Sequence, residues 1–231
     1  MIGSLRKDIR SLANPEKARV LQGFFRTGKG QYGEGDVFLG VTVPQSRAIS
    51  KKYALLSFAN IKALLKSKIH EERLVALLIL VHRYQKGDED EKKGIVDFYL
   101  GNTKCVDNWD LVDLSADKLL GHWLFGKDTS LLCRLAESPH LWERRIAIVS
   151  TFHFIRNNRF SDTLKISGML LGDKHDLIHK AVGWMLREVG KRDQPVLEGF
   201  LKRHHKKMPR TMLRYAIERL DEGRKKFYMG K

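Results

Sequence analysis

The chain repeats itself, and that repetition limits its fold more than any other feature. The segment Arg73-Leu74-Val75-Ala76-Leu77 aligns with Arg145-Ile146-Ala147-Ile148-Val149 and with Ala181-Val182-Gly183-Trp184-Met185. Small or apolar centres then fall at Ala76, Leu111, Ala147, Gly183 and Ala216, spaced 35, 36, 36 and 33 residues apart. A period in the middle thirties holds two helices and their turns, and one such pair cannot bury its apolar face alone. Stacked pairs bury a continuous core, and one helix of each pair lines a concave surface. The tetratricopeptide signature is missing, so the expected fold is an all-α, HEAT-like helical-repeat solenoid with a concave face. An irregular helical bundle with coincidental spacing is the competing reading.

Apolar residues recur at helical spacing nearly throughout, and five prolines with few alternating runs argue against a β protein. Ile9 and Leu12, then Val20, Leu21, Phe24 and Phe25, predict two short helices divided at Asn14-Pro15. Residues 28 to 37 carry Gly28, Gly30, Gly33 and Gly35 and predict a loop. After Pro44 the pattern predicts helices broken near Ser57, Lys68, Gly87, Gly101, Gly126, Ser138, Asn158, Gly172, Asp193 and Met208, about twelve in all. The expected organisation is a single repeat domain over 1–231. Residues 1–40 supply capping helices and the Gly-rich loop, and residues 41–231 the repeats.

Charge narrows the partner. Forty-three Lys and Arg stand against 27 Asp and Glu, a formal net charge of +16, whereas 42% hydrophobic and 30% charged residues are ordinary for a globular protein. Such a chain repels itself unless something anionic receives it, and nucleic acid is the commonest such partner. Residues 201 to 226 alone hold ten Lys and Arg against three acids. No apolar run approaches the ~20 residues of a membrane span, and the first residues lack the apolar stretch of a secretory signal. Two cysteines, Cys105 and Cys133, are too few for a disulfide framework or a Cys-rich zinc site. A cytoplasmic protein, nucleoid-associated if bacterial, monomeric and without metal, is expected.

With the repeat as a ruler, positions two before and two after each centre share a face of the inner helix, at ~100° per residue. Around Leu111 these are Trp109 and Asp113; before Ala147 lies Arg145; beside Gly183 lies Trp184. Two indoles, a carboxylate and a guanidinium form an odd set to bury and a sensible set for gripping a ligand. Singly, each has an ordinary reading: Trp109 and Trp184 as core aromatics, Asp113 as a solvated or salt-bridged residue, Arg145 beside Arg144 as surface charge.

These residues resemble a known family. Asn108-Trp109-Asp110-Leu111-Val112-Asp113 is similar to the Trp-Asp-x-x-Asp segment of the AlkD-like DNA glycosylases, the HEAT-repeat alkylation repair proteins. Trp142 to Ile148, Lys180 to Glu188, Phe38 to Val41 with Pro44 and Arg47, and Met208 to Ala216 match further segments in order. Thr42 and Val43 depart from the polar residue expected there. The resemblance implies Asp113, Trp109, Arg145 and Trp184 as the active-site group, acting without a cofactor. The expected DNA contacts are Arg144, Lys180, Arg187, Lys206, Lys207, Arg210 and Arg214. It also implies hydrolysis of the N-glycosidic bond of cationic bases, such as N3-methyladenine and N7-methylguanine, in duplex DNA. In this reading Asp113 stabilises the developing oxocarbenium ion, the indoles pack on sugar and backbone, and Arg145 holds a phosphate. Such enzymes act without enclosing the base in a pocket. The rival readings are a non-catalytic HEAT-repeat nucleic-acid binder and a protein scaffold.

Other signals are weaker. His175 and His179 are spaced i, i+4, but only Asp173 and Asp176 lie near them, an unfamiliar metal set. The Gly-rich loop lacks the Gly-Lys-Ser/Thr ending of a phosphate-binding loop and follows no strand. Cys105 has no His placed to activate it and reads as a buried thiol.

Overall fold

The computed structural model describes residues 1–230, and its regular structure is helical. Among the described residues the sole β feature is an isolated parallel bridge between Val37 and Ile69. All ten expected breaks fall at helix ends or between helices, and residues 28–36 form turns without a helix. The chain divides into two compact units, Met1–Ser115 and Ala116–Lys231.

In the first unit, α1 (Ile2–Ser11) and α2 (Pro15–Phe24) are separated by Asn14, whose side chain accepts from the Lys17 amide while Pro15 opens the next helix. The Gly-rich loop leads to α3 (Val43–Lys52), started by a Thr42–Gln45 capping box, and to α4 (Phe58–Leu65), capped by Ser57. The central element is α5 (His70–Lys86), apolar on all sides from Leu74 to Val81 and buried along that length. Helices α3, α4, α6 (Glu89–Leu100) and α7 (Trp109–Ser115) pack around it. The acidic run from Asp88 to Glu91 lies where a helix dipole favours it, at the start of α6, with Asp88 as cap. Helix α2 differs from a core helix: none of its residues is buried, and Val20 and Phe24 are 70% and 63% exposed. Its apolar stripe faces a cleft instead.

The second unit opens on a π-helical turn, Asp117–Gly121, that runs into α8 (His122–Leu124). Then come α9 (Ser130–Ala136), α10 (Leu141–Ser150), α11 (Phe152–Arg156) and α12 (Ser161–Met169). They are followed by α13 (Asp176–Arg192), α14 (Gln194–His204), α15 (Arg210–Ala216) and α16 (Glu222–Met229). Helices α10, α13 and α15 pack in a row, with α9 against α10 and α14 against α13. Every repeat centre lies on this row or on its counterparts α5 and α7, and all five are buried. Gly183 shows why the centres are small. A methyl group there would lie 2.5 Å from both the Met212 carbonyl oxygen and the Tyr215 Cβ, so α13 and α15 touch backbone to backbone.

Candidate active site

Trp109 and Asp113 stand one turn apart on α7, both half-buried, at a cleft of about 660 Å³ contained in the first unit. The cleft is apolar: Val20, Phe24, Phe25, Phe38, Val41 and Leu114 line it, and Asp113 and Asp110 bring carboxylates. Trp109 is held by aromatic packing. Its indole stacks on Phe25, with centroids 5.0 Å apart and planes 9° from parallel, and meets Phe24 edge-on at 5.8 Å. Phe25 stacks in turn on Phe38 at 4.8 Å, and Phe38 on the His70 ring at 4.4 Å.

Beneath α7 lies a buried ionic cluster. His70 sets Nδ1 3.1 Å from an Asp36 oxygen and Nε2 2.8 Å from an Asp110 oxygen. Arg73 donates to the other Asp36 oxygen at 2.6 Å and pairs with Asp107 at 3.2 Å. Asn108 donates to Asp36 at 3.1 Å, and its own side-chain oxygen accepts the Trp109 amide at 2.8 Å. Burial opposes charge on His70, yet the Asp110 carboxylate and the hydrogen bonds to both acids outweigh it and raise its pKa to about 9. Burial also pushes Asp36 upward, but the hydrogen bond from His70 and the charge of Arg73 win, and its pKa is lowered. At Asp107 burial prevails and the pKa rises. Next along α5, the buried Glu71 accepts the backbone amides of Leu39, Gly40 and Val41 at 2.8–3.2 Å, anchoring the wall of the cleft. Gly40 has φ +83°, and a side chain there would run into the Asn14 carbonyl, so this turn requires glycine.

In the second unit, Arg145 is buried on α10 and donates to the Leu177 carbonyl at 2.6 Å. Trp184 is half-buried on α13 and packs on Phe152 at 5.4 Å, whose ring carries the Arg156 guanidinium at 4.1 Å. The expected DNA contacts fall into two groups. Arg144 binds Asp173 at 2.6 Å and the carbonyls of Ser138 and Pro139 at 3.0 Å. Lys180 pairs with Asp176 at 2.7 Å, Arg187 with Glu218, and Arg210 donates to the Met229 carbonyl at 3.1 Å. Lys206, Lys207 and Arg214 are exposed, and Arg214 borders a polar groove of about 530 Å³ with Lys180 and Thr211. The histidines with metal-like spacing do other work: His175 caps α13 and His179 bonds the Asp173 carbonyl at 2.5 Å. Cys105 is half-buried rather than buried.

The ionic cluster escaped the sequence reading, although it leaves a trace. His70-Glu71-Glu72-Arg73 is four ionisable residues in a row at the head of a helix that runs on apolar from Leu74 to Val81, and all four are buried. A charge run that must enter a core needs partners: Asp36 and Asp110 serve His70 and Arg73, the amides of residues 39–41 serve Glu71, and Arg6 and Arg10 serve Glu72.

A predicted DNA alkylation repair enzyme from Enterococcus faecalis is a structural neighbour, with 19% identity over 91% of this chain and 97% of that one, at a TM-score of 0.70. The crystal structure of AlkD2 from Streptococcus mutans is another, with 17% identity over 95% and 97% of the two chains, at 0.58. A search of curated proteins gives no match. No helix among the described residues is long and apolar enough to cross a membrane. The family model described as DNA alkylation repair enzyme matches residues 5–220, nearly the whole chain, and the protein belongs to that family.

Proposed function

We propose that this protein is a DNA glycosylase that hydrolyses the N-glycosidic bond of positively charged alkylated bases, N3-methyladenine and N7-methylguanine, in duplex DNA. The observation that carries the reading is the pairing of Trp109 and Asp113 on one turn of α7, at the mouth of an aromatic-lined cleft. Alkylation makes the base a cation, so it departs neutral and needs neither a strong general acid nor a metal. The deoxyribose needs help, because it becomes an oxocarbenium ion as the bond breaks. A carboxylate at ~4 Å and an effective dielectric near ~20 contributes about 4 kcal/mol, roughly a thousandfold in rate. Asp113 supplies that charge and orients the attacking water. Trp109 presents an electron-rich face to the sugar. Arg145 and Trp184 are assigned on family resemblance to the phosphate and backbone of the damaged nucleotide. The protein works as a monomeric helical-repeat domain, on chromosomal DNA in the cytoplasm.

The test is base release from a duplex containing N7-methylguanine, corrected for spontaneous depurination, with Asp113→Asn beside the wild type. Release by the wild type, reduced about a thousandfold in the variant while DNA affinity persists, is expected. Retained affinity with no wild-type release would make the protein a non-catalytic binder and leave Asp113 without a chemical role.

A further inference from the structure

His70 has carboxylates at both ring nitrogens, 3.1 Å from Asp36 and 2.8 Å from Asp110. Neutral imidazole carries one N–H and can satisfy only one of them. Both acids are held as acceptors by other donors. Asp36 also takes Arg73 and Asn108, and Asp110 takes the Leu111 amide at 2.8 Å. The ring therefore donates twice, as the imidazolium. It is 2% exposed and lies flat against Phe38, which suits a cation.

We propose that His70 is a positioning residue for Trp109 and Asp113, holding the first turn of α7 through Asp110 and Asp36, and that its deprotonation turns base excision off at alkaline pH. The role rests on the glycosylase reading above. The route is short. The Asp36 oxygen that faces His70 Nδ1 is the same oxygen that accepts from Asn108, the residue immediately before Trp109. When Nδ1 loses its proton, a lone pair faces that oxygen, and the Asn108 anchor is displaced with it. Asp110, one residue past Trp109, depends on Nε2 in the same way.

The charged groups around the ring are few. Asp36 comes from the Gly-rich loop, and Asp107 and Asp110 come from the segment around the start of α7. Arg73 lies one turn along α5, its guanidinium 3.4 Å from Nδ1. Glu71 spends its carboxylate on the amides of residues 39–41, and Glu72 pairs with Arg6 and Arg10 of α1. With Arg73 the only other cation at the cluster among the described residues, Asp36 and Asp110 keep His70 protonated through neutral pH, in line with its raised pKa of about 9.

The experiment measures single-turnover release of N7-methylguanine from pH 7 to pH 10, alongside NMR of the His70 ring nitrogens in the wild-type protein. Protein-free duplex is subtracted at each pH. The wild type needs no substitution to be read: the ring should titrate near pH 9, and the release rate should fall about tenfold or more across the same interval, with DNA affinity held. Asp110→Asn removes one counter-charge while leaving Asp113 intact. It should move both the NMR titration and the alkaline fall in rate to lower pH by about one unit. The substrate's own alkaline chemistry is common to both proteins and cannot produce that displacement. A wild-type rate that stays flat through the His70 titration, or an Asp110→Asn variant whose NMR titration moves while its rate profile does not, would overturn the positioning role. Absence of release by wild type at every pH is a different failure: it removes the glycosylase reading and the positioning role with it.

Discussion

The indole of Trp109 lies 9° from parallel to the ring of Phe25, so the residue assigned to the sugar is held by a side chain on the other side of the Gly-rich loop. Stacked aromatic pairs are worth roughly 0.5–1.5 kcal/mol beyond the area they bury. Phe25→Leu keeps most of the volume and loses the flat face. It should cost about 1 kcal/mol in urea unfolding and slow base release by roughly tenfold, because the indole loses its stop. A stability loss with unchanged release would mean that Trp109 holds its orientation without Phe25.

The ionic cluster predicts a stability profile with two falling sides. Asp36 has a lowered pKa, so its contribution is complete above the ordinary value of 3.8 and is lost as pH falls through the native one. Asp107, raised by burial, acts in the opposite sense and offsets part of that loss. His70 has a raised pKa, so its contribution is complete below 6.5 and is lost as pH rises through about 9. That is on the order of 3 kcal/mol. Thermal unfolding followed by circular dichroism should show the wild type losing stability between pH 6.5 and 9. His70→Gln should be less stable at pH 6 and flat over that interval.

Gly183 and Gly199 both lie within helices, but only the first touches a neighbour. Gly183→Ala should destabilise the protein by about 1–3 kcal/mol, because α13 and α15 must part. Gly199→Ala meets open space and should stabilise by about 0.4–1 kcal/mol. Equal effects at the two sites would show that the contact between α13 and α15 yields without cost.

Ion pairing separates the cations proposed to meet DNA. Lys206, Lys207 and Arg214 are exposed, and each alanine variant should reduce the slope of log affinity against log salt by about 0.9 while leaving stability within about 0.5 kcal/mol. Arg144 ties Asp173 to the turn at Ser138 and Pro139. Arg144→Ala should lower the melting temperature, since the half-buried guanidinium leaves a buried carboxylate behind. Salt titrations and melting curves on the four variants check both halves.

The helices were legible because periodicity and punctuation are local. Gly87, Asp193 and Ser57 end or cap helices whatever surrounds them, and the small residues at Ala76, Ala147 and Gly183 mark where helices press together. Trp109 and Asp113 were legible as a pair because four residues on a helix make one face. The cluster around His70 was not, because it joins positions 36, 70, 73 and 110, and nothing local announces which acid meets which base. The exposure of α2 was hidden for a related reason. Val20, Leu21 and Phe24 have the spacing of a core stripe, and only tertiary packing shows that the stripe faces a cleft.

The Gly-rich loop has a loose end and a fixed end. At its tip, Gly28 and Gly30 bond to Gln31 and Glu34 of the same loop, and Gly30 faces open space at φ +76°. At its base, a side chain at Gly33 would lie 2.5 Å from the Phe25 carbonyl oxygen, and Asp36 is locked to His70, Arg73 and Asn108. Apart from Gly30, whose φ of +76° requires glycine, change is thus cheap at the tip and ruinous at the base. A lineage can lengthen, shorten or recolour the tip without disturbing the buried charges that keep α7 in register.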